Sequence, residues 1–120
     1  MKKAPTIITL LAISGLALAA PTMPEQFLGN WAPTKADCVI PEGAPIDFPD
    51  KGIKITVDGI QQYESGCSLQ KIIKQTSSLV TLSLECSDSE GSTIETKTLT
   101  LSADGNELTG YGDDKLIRCK

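Results

Sequence analysis

Histidine is absent from the 120 residues of this chain. Histidine carries protons in many hydrolytic sites and is a frequent metal ligand. Its absence therefore excludes Ser-His-Asp and Cys-His catalytic sites and every metal site built on imidazole. Aromatic residues are also scarce, with one Trp, two Tyr and two Phe. Large side chains that usually dominate a core are thus few, and the domain needs a further source of stability.

Basic residues are few and scattered along the chain. Eleven Lys and Arg stand against 15 Asp and Glu, for a formal net charge of −4. Because nucleic acids and anionic membranes are bound through clustered Lys and Arg, no nucleic-acid partner is expected. The acidity is only a weak indication of a cationic partner, since many domains carry such a charge for solubility alone.

A long apolar run occurs only near the N-terminus. Two lysines precede the apolar residues 7–18, and an Ala-Leu-Ala processing site follows them. The run is too short and too interrupted for a transmembrane helix, which needs about 20 apolar residues. The pattern predicts a signal peptide over residues 1–19 and one mature domain over residues 20–120. That domain is expected to be periplasmic or secreted, with no membrane insertion after cleavage.

Four cysteines follow the leader: Cys38, Cys67, Cys86 and Cys119. An even number of cysteines in a small exported domain predicts two disulfides. Zinc sites need closely spaced cysteines, whereas these are widely separated. No metal and no cofactor are therefore expected.

The mature chain is typical of short strands separated by turns. Ile53, Ile55 and Val57 alternate with polar residues, and Asp58-Gly59 supplies a turn signal after them. Seven or eight such segments, with no long amphipathic helix, predict an all-β fold. The expected architecture is a small antiparallel β-barrel or sandwich of about 7–8 strands.

The segment from Cys67 to Cys86 predicts a hairpin whose register can be compared with the apolar pattern. A two-residue turn at Thr76-Ser77 would align three apolar pairs, and only Lys71 opposite Leu82 would break the apolar face. Thr-Ser is a poor choice for a primed turn, so a longer loop or a shifted register stays open. The aligned pairs are Cys67 with Cys86, Leu69 with Leu84 and Ile73 with Val80.

This register favours one disulfide pattern. If Cys67 bridges Cys86, then Cys38 bridges Cys119 and joins the first strand to the last, as suits a closed barrel. Pairing of Cys38 with Cys67 or with Cys86 stays open, because spacing alone does not fix connectivity.

Carboxylates are the remaining candidates for catalysis. Two carboxylates about 5–10 Å apart hydrolyse glycosidic bonds in many enzymes. No signature groups the acids of this chain, and charged side chains are usually solvated. The protein is therefore predicted not to be an enzyme. The acids considered are Asp58, Glu64, Glu85 and Glu95.

Two other groups of residues are candidate partner contacts. Tyr63 and Tyr111 would either flank a binding face or cap the ends of the barrel. Residues 20–26 are expected to form a flexible N-terminal arm, because two prolines remove backbone donors and the segment offers little to bury. Its candidate contact residues are Pro21, Thr22, Met23 and Pro24.

Phe27-Leu28-Gly29-Asn30-Trp31 resembles the Gly-x-Trp start of lipocalin-like barrels. The resemblance implies that Trp31 plugs one barrel end and that a basic residue near the last strand packs across its indole. Arg118 has the position that suits this role.

Small bacterial periplasmic inhibitors of secreted metalloproteases share this start, the approximate size and an N-terminal arm that enters the protease cleft. The chain also looks like small exported proteins of Gram-negative bacteria with no assigned activity. The resemblance implies a non-catalytic binding or inhibitor module, whose partner is a secreted or periplasmic hydrolase.

Two alternatives stay open. One is an envelope protein with a structural role, and the other is a carrier of a small hydrophobic ligand. The carrier would use the barrel lumen, although the same side chains are needed to fill so small a core. These side chains are Ile55, Val57, Leu69, Leu82, Leu84 and Leu101.

Overall fold

Eight antiparallel strands form a closed barrel in the computed structural model, which describes residues 20–120. Each strand pairs with the next along the chain, and β8 closes on β1, where Trp31 lies opposite Arg118. The all-β barrel predicted from the sequence is confirmed. The strands are β1 Gly29–Ala32, β2 Ile53–Thr56, β3 Gly59–Gln62, β4 Ser65–Gln75, β5 Leu79–Asp88, β6 Gly91–Leu101, β7 Glu107–Thr109 and β8 Leu116–Arg118.

Short helices are confined to two single 3₁₀ turns within residues 20–120, η1 Glu25–Phe27 and η2 Ala36–Cys38. No helix in that range is long and apolar enough to cross a membrane. The predicted signal peptide, residues 1–19, lies outside the described part of the chain.

Alternating side chains of the strands fill the interior, as the period of two predicts. Ile53 and Ile55 of β2 are each 2% exposed. Val57, expected on the same face, is 46% exposed because it lies in the turn. Thr56 pairs with Gly59, so the turn is one residue earlier than the Asp58-Gly59 signal indicated. The core comprises Met23, Phe27, Trp31, Ile53, Ile55, Ile60, Val80, Leu82, Leu84, Leu99, Leu101, Leu108 and Leu116.

The β4–β5 register agrees with the sequence prediction at one end only. Cys67 lies opposite Cys86 and Leu69 opposite Leu84, as expected. Two irregularities in β4 then shift the register, so that Ile72 rather than Lys71 faces Leu82. Each irregularity inserts an extra residue into one strand. The apolar face is thereby restored.

The predicted pairing of Ile73 with Val80 is wrong. Gln75 lies opposite Val80, and Ile73 is 53% exposed. The two extra residues of β4 carry Ile73 to the outer face.

Two disulfides join the strands in the nested pattern. Cys67 bridges Cys86 within the β4–β5 hairpin, and Cys38 bridges Cys119 across 81 positions of sequence. The preferred connectivity is confirmed. Disulfides form and persist in oxidising compartments, so the pair points to an extracellular type of environment.

Unequal strand lengths determine where the barrel opens. Strands β4, β5 and β6 have 10 or 11 residues, whereas the others have three or four. Strand β7 pairs with β6 only at Thr100 and Leu101. Residues 91–97 of β6 therefore extend beyond the last β6–β7 pair, whereas β5 remains paired with β4 as far as Ser87.

Candidate binding cleft at the open end of the barrel

One end of the barrel is closed around Trp31, and we call it the closed end. The indole is fully buried, and its Nε1–H donates to the carbonyl of Phe27 at 3.1 Å. The guanidinium carbon of Arg118 lies 4.3 Å from the centroid of the indole ring. A cation over an aromatic face is attracted by the ring quadrupole. Trp31 and Arg118 thus lie where a barrel-closing pair would lie.

Arg118 also binds three backbone carbonyls at the closed end. Its Nε donates to Gly105 at 3.1 Å, and its two terminal nitrogens donate to Leu28 at 2.9 Å and to Gln26 at 2.8 Å. These acceptors belong to the β6–β7 turn and to the segment that precedes β1. One side chain therefore links the start of the domain to its end.

The prediction of a flexible arm over residues 20–26 is wrong from Met23 onward. The Met23 side chain is 3% exposed and belongs to the core, and its N–H donates to the carbonyl of Val57 at 3.0 Å. Pro24 is also buried. Burial of an apolar thioether stabilises the docked segment, which the proline count alone did not reveal. Within the segment of residues 20–26, only residues 20–22 are exposed in succession.

Docking of Met23 has a measurable consequence. Deletion of residues 20–22 is expected to leave the free energy of unfolding unchanged, because these residues are exposed. Met23→Ala is expected to lower the free energy of unfolding by about 2–3 kcal/mol, because it leaves a cavity in the core. Urea titrations of the two variants, followed by far-ultraviolet circular dichroism, separate the outcomes. Equal stability of both variants would refute the docking.

The opposite end, which we call the open end, carries charged side chains on the inner face of β6. Leu101 and Leu99 point into the core, and the same alternation places Lys97 and Glu95 on that face. In the ladder, Lys97 lies opposite the buried Leu82, and Glu95 lies opposite Leu84. The lining thus changes from apolar to charged along a single strand.

Lys97 is held by three groups at the open end. Its Nζ lies 3.6 Å from a carboxylate oxygen of Glu95 and donates to the carbonyl of Tyr111 at 3.2 Å. The same Nζ lies 5.1 Å from the centroid of the Tyr111 ring. An ammonium with such neighbours has little freedom, and its charge is already balanced within the chain.

Tyr111 links two loops at this end. Its hydroxyl donates to the side-chain oxygen of Gln62 at 2.8 Å, across a separation of 49 residues. Burial of the partly buried ring raises the pKa of Tyr111, and the negative charge of Glu95 raises it further. Tyr63, next to Gln62, is 52% exposed. The two tyrosines therefore share the open end.

The titration of Tyr111 is directly measurable. Tyr63→Phe leaves Tyr111 as the single tyrosine, and its tyrosinate absorbance is expected to show a pKa above the ordinary value of 10.0. Glu95→Gln is expected to lower that pKa, because it removes the negative charge that opposes ionisation.

Because the pKa of Tyr111 is raised in the folded state, the unfolded chain loses the hydroxyl proton at a lower pH than the folded protein does. Stability is therefore unaffected below the ordinary pKa and falls as the pH rises through the folded-state value. Urea midpoints between about pH 9 and about pH 11 should decline more in the Tyr63→Phe protein than in the Tyr111→Phe protein. Parallel curves for the two variants would contradict the assignment.

The charged and aromatic side chains of the open end surround a cleft of about 660 Å³. The Cys67–Cys86 disulfide, the β3–β4 turn, the tip of the β5–β6 hairpin and the loop after β7 contribute to its lining. The volume lies within the usual range for ligand pockets. Its polar and aromatic lining includes Gln62, Asp88, Glu90, Glu95, Lys97 and Tyr111.

The structure separates the residues that the sequence grouped as partner contacts. The segment with Pro21, Thr22, Met23 and Pro24 binds the β2–β3 turn, whereas Tyr63 lies in the β3–β4 turn at the other end of β3. A single flat surface does not include both groups.

Sequence reasoning missed Gln62 and Lys97 and treated Glu95 as a surface acid. Glu85 lies on the outer face of the hairpin and pairs with Ile94, so it is remote from the cleft side of the sheet. A signal for the cleft was present, because Glu95 and Lys97 are in phase with Leu99 and Leu101.

Within residues 20–120, no three Cys, Asp or Glu side chains come together in an arrangement that would hold a metal ion. No protein-family model, curated protein or solved structure matches the chain. A functional proposal therefore depends on the chemistry of the chain's own residues.

Proposed function

We propose that the protein is an exported, non-catalytic binding module that recognises a protein partner through the open end of its barrel. The observation that carries the proposal is the network of Glu95, Lys97, Tyr111 and Gln62 around a cleft of about 660 Å³. A site whose polar side chains are already oriented loses little conformational entropy on binding. The periplasm or the cell exterior is the compartment that suits two disulfides.

The rim of the cleft supports recognition of a protein. Tyr63 is 52% exposed at the tip of the β3–β4 turn, and it supplies a large contact area with few rotatable bonds. The next residue, Glu64, has a φ of 61°, a conformation that non-glycine residues adopt rarely. Such strained positions cluster at binding sites. The tight backbone turn therefore places the exposed Tyr63 at the rim of the open end.

The packed interior favours a binding module over a carrier that uses the lumen. Ile55, Leu82 and Leu84 are at most 2% exposed, and Leu101 is 7% exposed. These side chains pack against one another as the core, where a carrier would need an open volume of a few hundred Å³. The polar cleft lies beyond them, so its ligand would be recognised by polar groups.

An inhibitor of a secreted or periplasmic hydrolase is the second candidate. Residues 20–22 are exposed immediately before the anchored Met23, so they form a short free end on a rigid base. The Gly29-x-Trp31 start and the stacked Arg118 support membership in the lipocalin-like group, where inhibitors with such an arm occur. In this candidate, the free end would enter the cleft of the hydrolase.

Capture of a partner by immobilised variants distinguishes the two candidates. The oxidised domain from Ala20 to Lys120 would be incubated with envelope extract of the source organism. Tyr63→Ala is expected to weaken retention of the partner about tenfold or more, because exposed tyrosines are frequent hot spots. Ile73→Ala is the matched control, since Ile73 is equally exposed but lies on the outer face of β4.

Each outcome of the capture experiment assigns the contact surface. Loss with Tyr63→Ala and retention after deletion of residues 20–22 support the open end. The reverse pattern supports the inhibitor candidate and rejects the open end. Equal retention by every variant rejects both.

A further inference from the structure

We infer that the open end takes an extended segment of its partner as an additional strand on β6, with a basic side chain of that segment in the acidic cleft beside Asp88 and Glu90. This inference rests on the proposed function and specifies how the partner is held. It follows from the hydrogen-bonding direction of β6, from the lining of the cleft and from the charge around it.

The direction of the β6 backbone groups is fixed by one hydrogen bond. The N–H of Leu101 donates to Ser78 at 2.8 Å, so the odd-numbered residues of β6 bond toward β5. Because antiparallel ladders alternate, Ser92, Ile94 and Thr96 direct their N–H and C=O groups to the opposite side. On that side β7 pairs only with Thr100 and Leu101. Across the described residues, then, no strand neighbours this edge over positions 91–97.

Among residues 20–120, β4 pairs with β3 only as far as Ser68, so its far half is an open edge like residues 91–97 of β6. These two edges differ in how they are protected. Exposed edges usually carry lysines, prolines or bulges, which prevent pairing with other chains. The far half of β4 has two register irregularities and two exposed lysines, Lys71 and Lys74. The β6 edge pairs with β5 in an unbroken register and has no proline in residues 91–97. Its lysine, Lys97, is bound to Glu95 and Tyr111.

The open edge of β6 borders the cleft. Gly91, Ser92, Thr93 and Glu95 all contribute to its lining. A strand added to this edge would extend the β5–β6 sheet, and its alternate side chains would enter the cleft. The remaining side chains would lie on the outer face beside Ile94, which is 64% exposed. The edge thus offers backbone bonds, a pocket and an apolar contact.

The charge of the cleft selects a basic segment. Asp88, Glu90 and Glu95 line it, whereas the ammonium of Lys97 is already bound within the chain. Glu95 is the carboxylate paired with Lys97, whereas Asp88 and Glu90 form no ion pair within residues 20–120. A Lys or Arg of the partner would therefore meet an excess of negative charge in the cleft. A second copy of this chain would bring its own three carboxylates and its net charge of −4 to the same edge. Repulsion between like charges disfavours that occupant.

A peptide library is the probe. Displayed seven-residue peptides, randomised at every position, would be selected on the oxidised domain after depletion on the Ile94→Pro variant. Proline is tolerated at an edge position whose N–H faces outward, so this variant keeps the β5–β6 ladder and loses the docking donor. Ile94→Val is the matched control. If Ile94→Pro does not fold, Thr96→Pro replaces it, because Thr96 is the next residue whose N–H faces outward.

Synthetic peptides from the selection would be measured by fluorescence anisotropy. We expect them to carry Lys or Arg at a fixed position and to bind Ile94→Pro about tenfold or more weakly than wild type, because backbone hydrogen bonds are lost. Asp88→Asn, which removes a cleft carboxylate that forms no ion pair within residues 20–120, should weaken binding by a similar factor. Glu85→Gln should leave peptide binding unchanged. This variant removes the same charge, but from the outer face of the hairpin.

Three results would overturn the inference. A selection that yields no peptide sensitive to Ile94→Pro rejects strand addition. Selected peptides without a basic residue reject the charge assignment. A wild-type dimer in sedimentation that Ile94→Pro dissociates shows that a second copy takes the edge. If native partner capture is lost with Tyr63→Ala but kept with Ile94→Pro, the proposed function stands and only strand addition fails.

Discussion

Replacement of Trp31 with Ala is expected to lower the free energy of unfolding by about 3–5 kcal/mol. The indole is fully buried, donates a hydrogen bond to Phe27 and lies under the Arg118 guanidinium. Removal leaves a cavity, an unpaired carbonyl and a cation without its aromatic partner. Since a domain is stable by about 5–15 kcal/mol in total, a large part of the stability would be lost.

Urea denaturation of Trp31→Ala, followed by far-ultraviolet circular dichroism, measures this loss. Fluorescence is unsuitable because Trp31 is the single tryptophan. Trp31→Phe is the matched control and should lose less, since it keeps an aromatic ring but not the Nε1–H. Arg118→Lys keeps the charge and loses the planar contacts to three carbonyls. A loss below about 1 kcal/mol for Trp31→Ala would contradict its place in the core.

Removal of the Cys38–Cys119 bridge by a double alanine substitution is expected to cost about 4 kcal/mol, whereas removal of Cys67–Cys86 should cost about 3 kcal/mol. The separations are 81 and 19 positions, and the longer loop gains more freedom in the unfolded chain when it is released. The first bridge ties the segment after β1 to the end of β8. Its loss therefore frees both ends of the chain at once.

The two double variants are each other's control, because each removes one bridge and replaces two cysteines with alanine. Free energies of unfolding from urea titrations should differ by about 1 kcal/mol in the stated order. Peptide mapping of the wild-type protein without reduction should recover Cys38 linked to Cys119. The opposite order of stability, or a different linkage, would show that the bridges do not act through the loops described.

Much of the fold was predictable because its signals are local. Alternation at Ile53 and Ile55 predicted a half-buried strand, and the aligned pair of Cys67 with Cys86 predicted a disulfide. The error in the β4–β5 hairpin arose where extra residues enter one strand. Only packing of Ile72 against the core favours that shift over the regular register.

The candidate site was less predictable because its parts are distant in sequence. Tyr63 and Tyr111 were selected as contacts, and the structure places both at the open end. Lys97 gave no signal as a single residue, since its partners come from β6 and from the loop after β7. The role of Met23 was missed because prolines on both sides of Thr22-Met23 suggested a loose arm.

The sequence by itself determined the all-β class and the exclusion of histidine chemistry, and it favoured the nested disulfide pattern. These follow from residue types and from a period of two, which operate within one strand or one hairpin. Tertiary structure alone decided which end is closed by Met23 and Trp31, and which end keeps a polar cleft beside an unpaired strand edge. The physical reason is the mismatch between the long β4–β6 strands and their short neighbours, which appears only when the barrel closes.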